Sequence, residues 1–198
     1  QRIVLGFADC RIEAARSGGR GDRVPQPDPR CEQRLQTRFV IESIEFAPDI
    51  RALVLGSLPG ERSLEAARYY AHPQNQFWRL VGSAIGLELE ALDYEARLEA
   101  LLAARIGLWD TVASATRKGS LDTAIREAEH NPLAELVATL PDLRAVAFNG
   151  ATSARIGMAA LAGRGLALLP LPSSSPAYAA MPFAEKRRLW AAIGEFLR

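Results

Sequence analysis

The sequence of 198 residues has few cysteines, few lysines and no long hydrophobic run. Its two cysteines, Cys10 and Cys31, cannot supply the four thiolates of a structural zinc or iron–sulfur site. No apolar run reaches the roughly 18 residues that a membrane-spanning helix needs. An apolar stretch at residues 3–10 is too short for a signal peptide and is interrupted by Asp9. We therefore expect a cytoplasmic protein in a reducing compartment.

Net charge is also almost absent, because 24 basic residues balance 23 acidic ones and leave a formal charge of +1. Residues 1–38 hold eight arginines and five acidic residues, a net charge of +3, so the rest of the chain carries −2. A slightly acidic body excludes a global positive field as the basis of nucleic-acid binding. Any such contact would depend on local groups and backbone amides.

Two regions differ in composition. Residues 1–38 are rich in glycine, proline and arginine and lack an apolar period, which predicts a disordered N-terminal extension. An arginine-rich arm that contacts DNA is the alternative for this region. Residues 39–198 are long enough for one domain with its own core.

Within residues 39–198, apolar strand patterns alternate with helical patterns. Strands are predicted at residues 52–55, 106–109, 145–148 and 166–169. Helices are predicted at residues 75–85, 94–104, 132–140, 151–161 and 183–197. Uninterrupted apolar strands that alternate with helices favour an α/β fold with a parallel sheet covered on both faces.

Polar or turn-forming segments follow each predicted strand. They are Gly-Ser-Leu-Pro-Gly at 56–60, Asp-Thr-Val at 110–112 leading to 117–122, Asn149-Gly150, and Leu-Pro-Ser-Ser-Ser-Pro-Ala at 171–177. Because the carboxyl ends of parallel strands share one edge of a sheet, these segments should meet there. The sequence therefore predicts a ligand site at this edge.

A second dense segment, residues 69–78, reads Tyr-Tyr-Ala-His-Pro-Gln-Asn-Gln-Phe-Trp. Together with residues 56–60 it resembles the first motif of the uracil-DNA glycosylase superfamily, and most closely its hypoxanthine-DNA glycosylase branch. The resemblance runs over residues 39–198 and implies a three-layer α/β/α fold with a central four-stranded parallel sheet. It also implies base excision repair: deoxyinosine is flipped out of DNA and hypoxanthine is removed, which leaves an abasic site.

Asn75 is the candidate catalytic residue, because the resemblance places the water-positioning amide at this asparagine. Other branches carry a carboxylate or amide at the third position of the first motif, where this chain has Leu58. The alternative is that Asn75 only caps the helix predicted after it.

The predicted base-binding residues include an aromatic ring and a carboxylate. Tyr70 would stack on the flipped base, although a core tyrosine is the alternative. Asp110 would accept a hydrogen bond from N1–H of hypoxanthine, or else cap the following segment, and Asp122 is a possible second reader. The predicted base-binding set is Ser57, Leu58, Tyr70, Asp110 and Asn149.

Contacts with the DNA backbone are predicted from both loops. The predicted set is Gly56, Pro59, Gly60, His72, Pro172, Ser173, Ser174 and Ser175. His72 would buttress its loop or donate to a phosphate or the base. Many members of the family that the chain resembles have a histidine or asparagine before Pro-Ser in the second motif, where this chain has Leu171. For the loop at residues 171–177, a proline-stiffened loop without DNA contact is the alternative.

Several functions fit these residues. The first expectation is a monofunctional deoxyinosine glycosylase that acts on single- or double-stranded DNA as a monomer, without cofactor or metal. A lyase would need an amine, and only Lys118 and Lys186 are available. The alternatives are a uracil or mismatch-specific glycosylase and a non-catalytic damaged-DNA-binding protein. An α/β hydrolase is disfavoured because no Gly-x-Ser-x-Gly elbow occurs.

Overall fold

The computed structural model describes residues 48–117 and 119–198. Four parallel strands form the central sheet in the order β2-β1-β5-β6. Their bounds are β1 Ala52–Gly56, β2 Ile106–Asp110, β5 Ala145–Asn149 and β6 Ala167–Leu171. The four-stranded parallel sheet predicted from the sequence is thereby confirmed. The extension predicted at residues 1–38 lies outside the described residues, as does Lys118.

The central strands are buried on both faces because their residues are apolar and alternate in direction. In β1, Val54 points to one side of the sheet and Leu53 and Leu55 point to the other, and all three are fully buried. Backbone pairing joins Gly56 of β1 to Asp110 of β2. The register therefore brings the ends of these two strands level with each other.

Helices cover both faces of the sheet and complete three layers. One face packs against α2 (Phe77–Ile85), α3 (Tyr94–Ala103) and α6 (Phe183–Trp190). The other face packs against α4 (Leu133–Ala138) and α5 (Ala151–Leu161). Among the described residues, no helix is both long enough and apolar enough to cross a bilayer.

Apart from shifts of one or two residues at element ends and two short 3₁₀ turns, three features differ from the sequence-based prediction. A short helix, α1 (Glu61–Glu65), follows the first loop, and an antiparallel hairpin of β3 (Val112–Thr116) and β4 (Arg126–His130) follows β2. The closing helix ends at Trp190 and continues as a 3₁₀ helix over Ala191–Phe196. The hairpin has an exposed, charged second strand without apolar alternation, so no pattern indicated it.

Two glycines allow close approaches next to the β5 end. A Cβ at Gly157 of α5 would overlap the ring of Phe148, so this helix lies directly on β5. Gly150 has a φ of +100°, and its missing Cβ would lie 3.2 Å from the Cβ of Ser173. These contacts place the start of α5 against the loop that follows β6.

Candidate active site at the carboxyl edge of the sheet

The loops that follow β1, β2, β5 and β6 meet at the carboxyl edge, as the sequence predicted. The amide of Thr111 donates to the Gly56 carbonyl at 2.9 Å, which ties the end of β2 to the first loop. The amide of Gly150 donates to the Leu171 carbonyl at 3.0 Å, which ties the end of β5 to the last loop. The predicted site residues lie at the last positions of the strands (Gly56, Asp110 and Asn149), on the loops that follow, or on the segment that precedes α2.

Gly56 leaves room for two polar side chains above the end of β1. A Cβ at this position would overlap Asp110 Oδ1 and lie 3.1 Å from the Tyr70 hydroxyl. The carboxyl of Asp110 and the hydroxyl of Tyr70 therefore approach the same point over Gly56. Any other residue at position 56 would displace one of them.

Burial changes the acidity of Asp110, which is only 3% exposed. Its surroundings together raise the pKa of the carboxyl from 3.8 to about 7; desolvation by burial is the largest cause, the charge of Asp122 adds to the rise, and Arg117 opposes it. The Tyr69 hydroxyl lies near this carboxyl and also lowers its pKa. That approach lacks hydrogen-bond geometry, because neither the Tyr69 hydroxyl nor Asp110 Oδ2 has a partner within the described part of the chain.

The loop at residues 56–60 is held by the segment that links β3 to β4. Arg117 donates to the carbonyls of Leu58 and Pro59. The Ser57 hydroxyl donates to Asp122 Oδ1 at 2.8 Å. Arg117 thus fixes the loop's carbonyls, a role that the sequence did not suggest.

Tyr70 is placed by its backbone as well as by its ring. Its φ of +52° lies in the left-handed region, which is uncommon for a non-glycine residue and is often found at functional sites. Its ring stacks on Phe77, with centroids 3.8 Å apart and planes at 12°. The hydroxyl accepts a hydrogen bond from Asn149 Nδ2 at 3.1 Å. One ring face is therefore packed against the protein.

Asn75 and His72 form a compact turn before α2. Asn75 Oδ1 accepts from the Phe77 amide, the first amide of α2, at 3.0 Å, so Asn75 supports the helix start although the N-cap position itself is Gln76. His72 Nδ1 accepts from the Gln74 amide at 3.1 Å, and its carbonyl accepts from the Asn75 amide at 2.9 Å. A neutral His72 ring then carries its proton on Nε2. Both side chains are partly exposed, and the first turn of α2 fixes the orientation of the Asn75 amide.

Asn149 and Ser174 form a buried reciprocal pair. Asn149 Nδ2 donates to Ser174 Oγ at 2.9 Å, and the Ser174 amide donates to Asn149 Oδ1 at 2.8 Å. Ser174 is 1% exposed and Asn149 is 8% exposed. Their polar atoms therefore join the β5 and β6 loops, whereas Ser173 and Ser175 on either side are half-buried.

A separate depression of ≈ 610 Å³ lies near the opposite end of β2, beside Arg105 and the C-terminal turn. None of the predicted site residues lines it. The polar side chains and the Asp110 carboxyl, whose pKa is raised, lie at the other edge of the sheet, so the candidate site is placed there.

The sequence profile of the Uracil DNA glycosylase superfamily matches residues 44–194. The chain belongs to this superfamily. The family resemblance inferred from the motif at residues 56–60 and 69–78 is thereby confirmed, and the match extends over nearly all the described residues.

Two curated proteins with sequences similar to this chain are named Hypoxanthine DNA glycosylase. The one from Methanosarcina barkeri is 48% identical over 101 residues, which is 51% of this chain and 64% of that protein. The one from Methanosarcina acetivorans is 43% identical over 125 residues, 63% of this chain and 78% of that protein. The alignment thus spans about two thirds of the length of the first relative and somewhat more of the second.

A solved structure is similar to this chain in both fold and sequence. It is a solution NMR structure provisionally described as a uracil DNA glycosylase from Methanosarcina acetivorans. Its TM-score to this chain is 0.69 at 36% identity, and the match covers 77% of this chain and 94% of that one. The three-layer fold expected for a superfamily member is therefore the fold observed.

In this superfamily member, sequence reasoning located the edge but missed two residues that shape it. The sequence indicates Arg117 only as part of the segment at residues 117–122 and Lys186 only as one of two amines that a lyase could use. The structure places Lys186 at 1% exposure, with its ammonium next to the site loops. A buried lysine in a run of charges has no distinguishing sequence pattern.

Proposed function

We propose that the protein is a DNA glycosylase that hydrolyses the N-glycosidic bond of deoxyinosine in DNA and releases hypoxanthine. The observation that supports this most is the fixed amide of Asn75 at the carboxyl edge, in a chain whose curated relatives are named for this activity. The superfamily membership supports a DNA substrate. The product would be an abasic site.

In the proposed mechanism, Asn75 holds the attacking water. Its carbonyl oxygen accepts one hydrogen bond from the Phe77 amide, and a second acceptor position stays available on the same oxygen for a water O–H. As the bond between C1′ and the base breaks, its electron pair leaves with hypoxanthine and the sugar becomes oxocarbenium-like. Water then bonds to C1′ and loses one proton to solvent, while the departing hypoxanthine anion takes up one proton from solvent. Such an electrophilic sugar needs an oriented water more than a strong base, which suits an amide.

The flipped base would be held by the aromatic ring and the carboxyl above Gly56. Tyr70 would stack on the base with the ring face opposite Phe77, which we expect to contribute roughly 1–3 kcal/mol. The Asp110 carboxyl, whose Oδ1 lies over Gly56, would accept from N1–H of hypoxanthine. Adenine lacks that proton, so this hydrogen bond would favour the deaminated base. Ser57 and Leu58 would complete the contact through the first loop.

The DNA backbone would run over the first and last loops. Ser173 and Ser175 keep partly exposed hydroxyls whose oxygens accept from local amides, so their O–H groups are free to donate to phosphates. His72 would contribute Nε2–H, and Gly56, Pro59, Gly60 and Pro172 would allow close approach of the phosphates. For Asn149 and Ser174 we propose an indirect part, in which their pairing holds both loops at a fixed separation.

The test is excision from matched duplexes that carry one inosine, uracil or xanthine, followed by alkaline cleavage of abasic sites. Release of hypoxanthine and strand breaks at inosine are the expected result. Breaks at uracil alone would assign the site to a uracil glycosylase, the activity provisionally given to the solved relative. Tight binding of the inosine duplex without any break would leave a damage-binding protein instead.

A further inference from the structure

Lys186 differs from the charged residues around it. It lies in α6 within a run of four charged residues, 185–188, and the other three are exposed. Lys186 is 1% exposed, and desolvation by burial lowers its pKa. Burying an ammonium is costly unless it is well hydrogen-bonded, so its partners indicate what it stabilises.

The Lys186 ammonium has partners in both site loops. Nζ donates to Gln76 Oε1 at 3.1 Å and to the Tyr178 carbonyl at 2.8 Å. It also lies 5.1 Å from the centroid of the Tyr178 ring. Gln76 follows Asn75 directly, and Tyr178 lies three residues after Ser175, so one side chain connects the segment before α2 to the loop after β6.

A backbone bond runs in parallel with this connection. The Gln76 amide donates to the Ser174 carbonyl at 3.0 Å. Gln76 is therefore held through its amide by one loop and through its side chain by Lys186, and Asn75 has little freedom to move relative to either. If position 186 needed only an apolar contact with the core, an apolar side chain would serve, as Trp190 does one turn further along α6, where it is completely buried.

We propose that Lys186 is a positioning residue for base excision, holding Asn75 at a fixed place relative to the loop at residues 172–178 through Gln76 and the Tyr178 carbonyl. The proposal rests on the proposed function, in which Asn75 holds the attacking water. Lys186 touches neither base nor water in this account. A small displacement of an oriented group costs up to about 100-fold in rate, so a loosened Gln76 would slow the chemical step more than it weakens DNA binding.

The test compares Lys186→Met with Arg187→Met, which removes a neighbouring but exposed charge from the same helix. Single-turnover excision of hypoxanthine and the Kd for an inosine duplex are measured for each. For Lys186→Met we expect the rate constant to fall about 10- to 100-fold while Kd changes by less than about threefold. Arg187→Met should keep the wild-type rate constant.

A second variant guards against a folding defect in Lys186→Met. Gln76→Leu removes the acceptor while leaving the ammonium in place, and we expect a similar fall in rate. The double variant should lose little more than either single one, because both changes break the same connection. Additive losses, or an unchanged rate in Gln76→Leu, would overturn the proposal.

Amide hydrogen exchange supplies a readout that does not depend on activity. Lys186→Met should accelerate exchange at residues 74–77 and 174–178, whereas Arg187→Met should not. If the wild-type protein does not act on inosine, the proposed function fails whatever exchange shows. If the wild-type protein is active and Lys186→Met keeps both its rate and its exchange pattern, the positioning role alone is refuted.

Discussion

The two halves of the carboxyl edge differ in how completely their buried polar side chains are hydrogen-bonded. Beside β5 and β6, each buried polar side chain has at least one hydrogen-bond partner; these are Asn149, Ser153, Ser174 and Lys186. Beside β1 and β2, four buried atoms have no partner within the described residues; they are Tyr69 Oη, Asp110 Oδ2, Thr111 Oγ1 and Asn131 Oδ1. Among the described residues, the unpartnered buried side-chain atoms thus lie on one side of this edge, although Asn131 on that side donates through Nδ2 to the Asp110 carbonyl.

This difference suggests that the two halves of the edge have different roles. A fully hydrogen-bonded network holds its loops rigidly, which suits the half that we propose to support Asn75 and the DNA backbone. Unmade hydrogen bonds and a carboxyl with a raised pKa are typical of sites that bind or react with a ligand. The half beside β2 is where we propose that the base edge is bound.

The largest change in stability should come from breaking the satisfied half. Asn149→Ala removes the hydrogen-bond partner of the Ser174 amide, the Ser174 hydroxyl and the Tyr70 hydroxyl. We therefore expect a loss of about 2–4 kcal/mol in the free energy of unfolding. Asn131→Ala on the other half removes one side-chain bond and one unpartnered atom, and should cost about 1 kcal/mol. Urea denaturation measures both, and equal losses would contradict the comparison.

An intermediate effect is expected from Asp110→Asn, and it depends on pH. Because the folded pKa of about 7 lies above the ordinary 3.8, the folded state binds this proton more tightly than the unfolded state. The carboxyl therefore destabilises the fold progressively as pH rises from about 4 to about 7, and the cost stays constant above that. A pKa rise from 3.8 to about 7 corresponds to roughly 4 kcal/mol. Asp110→Asn should remove this dependence and be more stable than wild type by about 2 kcal/mol at pH 8, because burial of the asparagine amide offsets part of the gain.

Denaturation of both proteins at pH 5 and pH 8 checks this prediction. The gap in favour of Asp110→Asn should widen from the lower pH to the higher one. A gap that is constant, or that narrows at pH 8, would show that Asp110 is not a buried carboxyl with a raised pKa.

The smallest effect should distinguish two neighbouring tyrosines. Tyr70→Phe removes one acceptor from Asn149 Nδ2 but keeps the stack on Phe77, and should cost about 0.5–1.5 kcal/mol. Tyr69→Phe removes a hydroxyl that has no hydrogen bond of good geometry among the described residues and acts only weakly on Asp110, so it should cost less than Tyr70→Phe. Thermal melting of the two variants checks the order, and a larger loss for Tyr69→Phe would reverse it.

The sheet and most helices were predictable because their residues repeat a simple apolar period. Helix α5 matches its predicted bounds, residues 151–161, and β1 and β2 each differ by one residue. The motif at residues 56–60 and 69–78 also identified the family, and the polar segments after the strands indicated the edge at which the candidate site is placed. These features depend on local sequence.

Features that depend on contacts between distant residues were not predictable. The Asn149–Ser174 pair joins loops 25 residues apart, and the Lys186–Gln76 bond spans 110 residues. The pattern of residues 126–130 indicates no buried face, so the hairpin was missed. Residue types alone did not reveal that Ser174 is buried while Ser173 and Ser175 are not.

The most direct test of the central claim is the single-turnover rate of hypoxanthine release by Asn75→Ala and Asn75→Ser. Serine restores a helix-capping oxygen but cannot reproduce the amide that orients water. Both variants are expected to bind inosine DNA with near wild-type affinity and to lose about 10²- to 10³-fold in rate. A serine variant with the wild-type rate would show that Asn75 only caps α2, and would contradict the account.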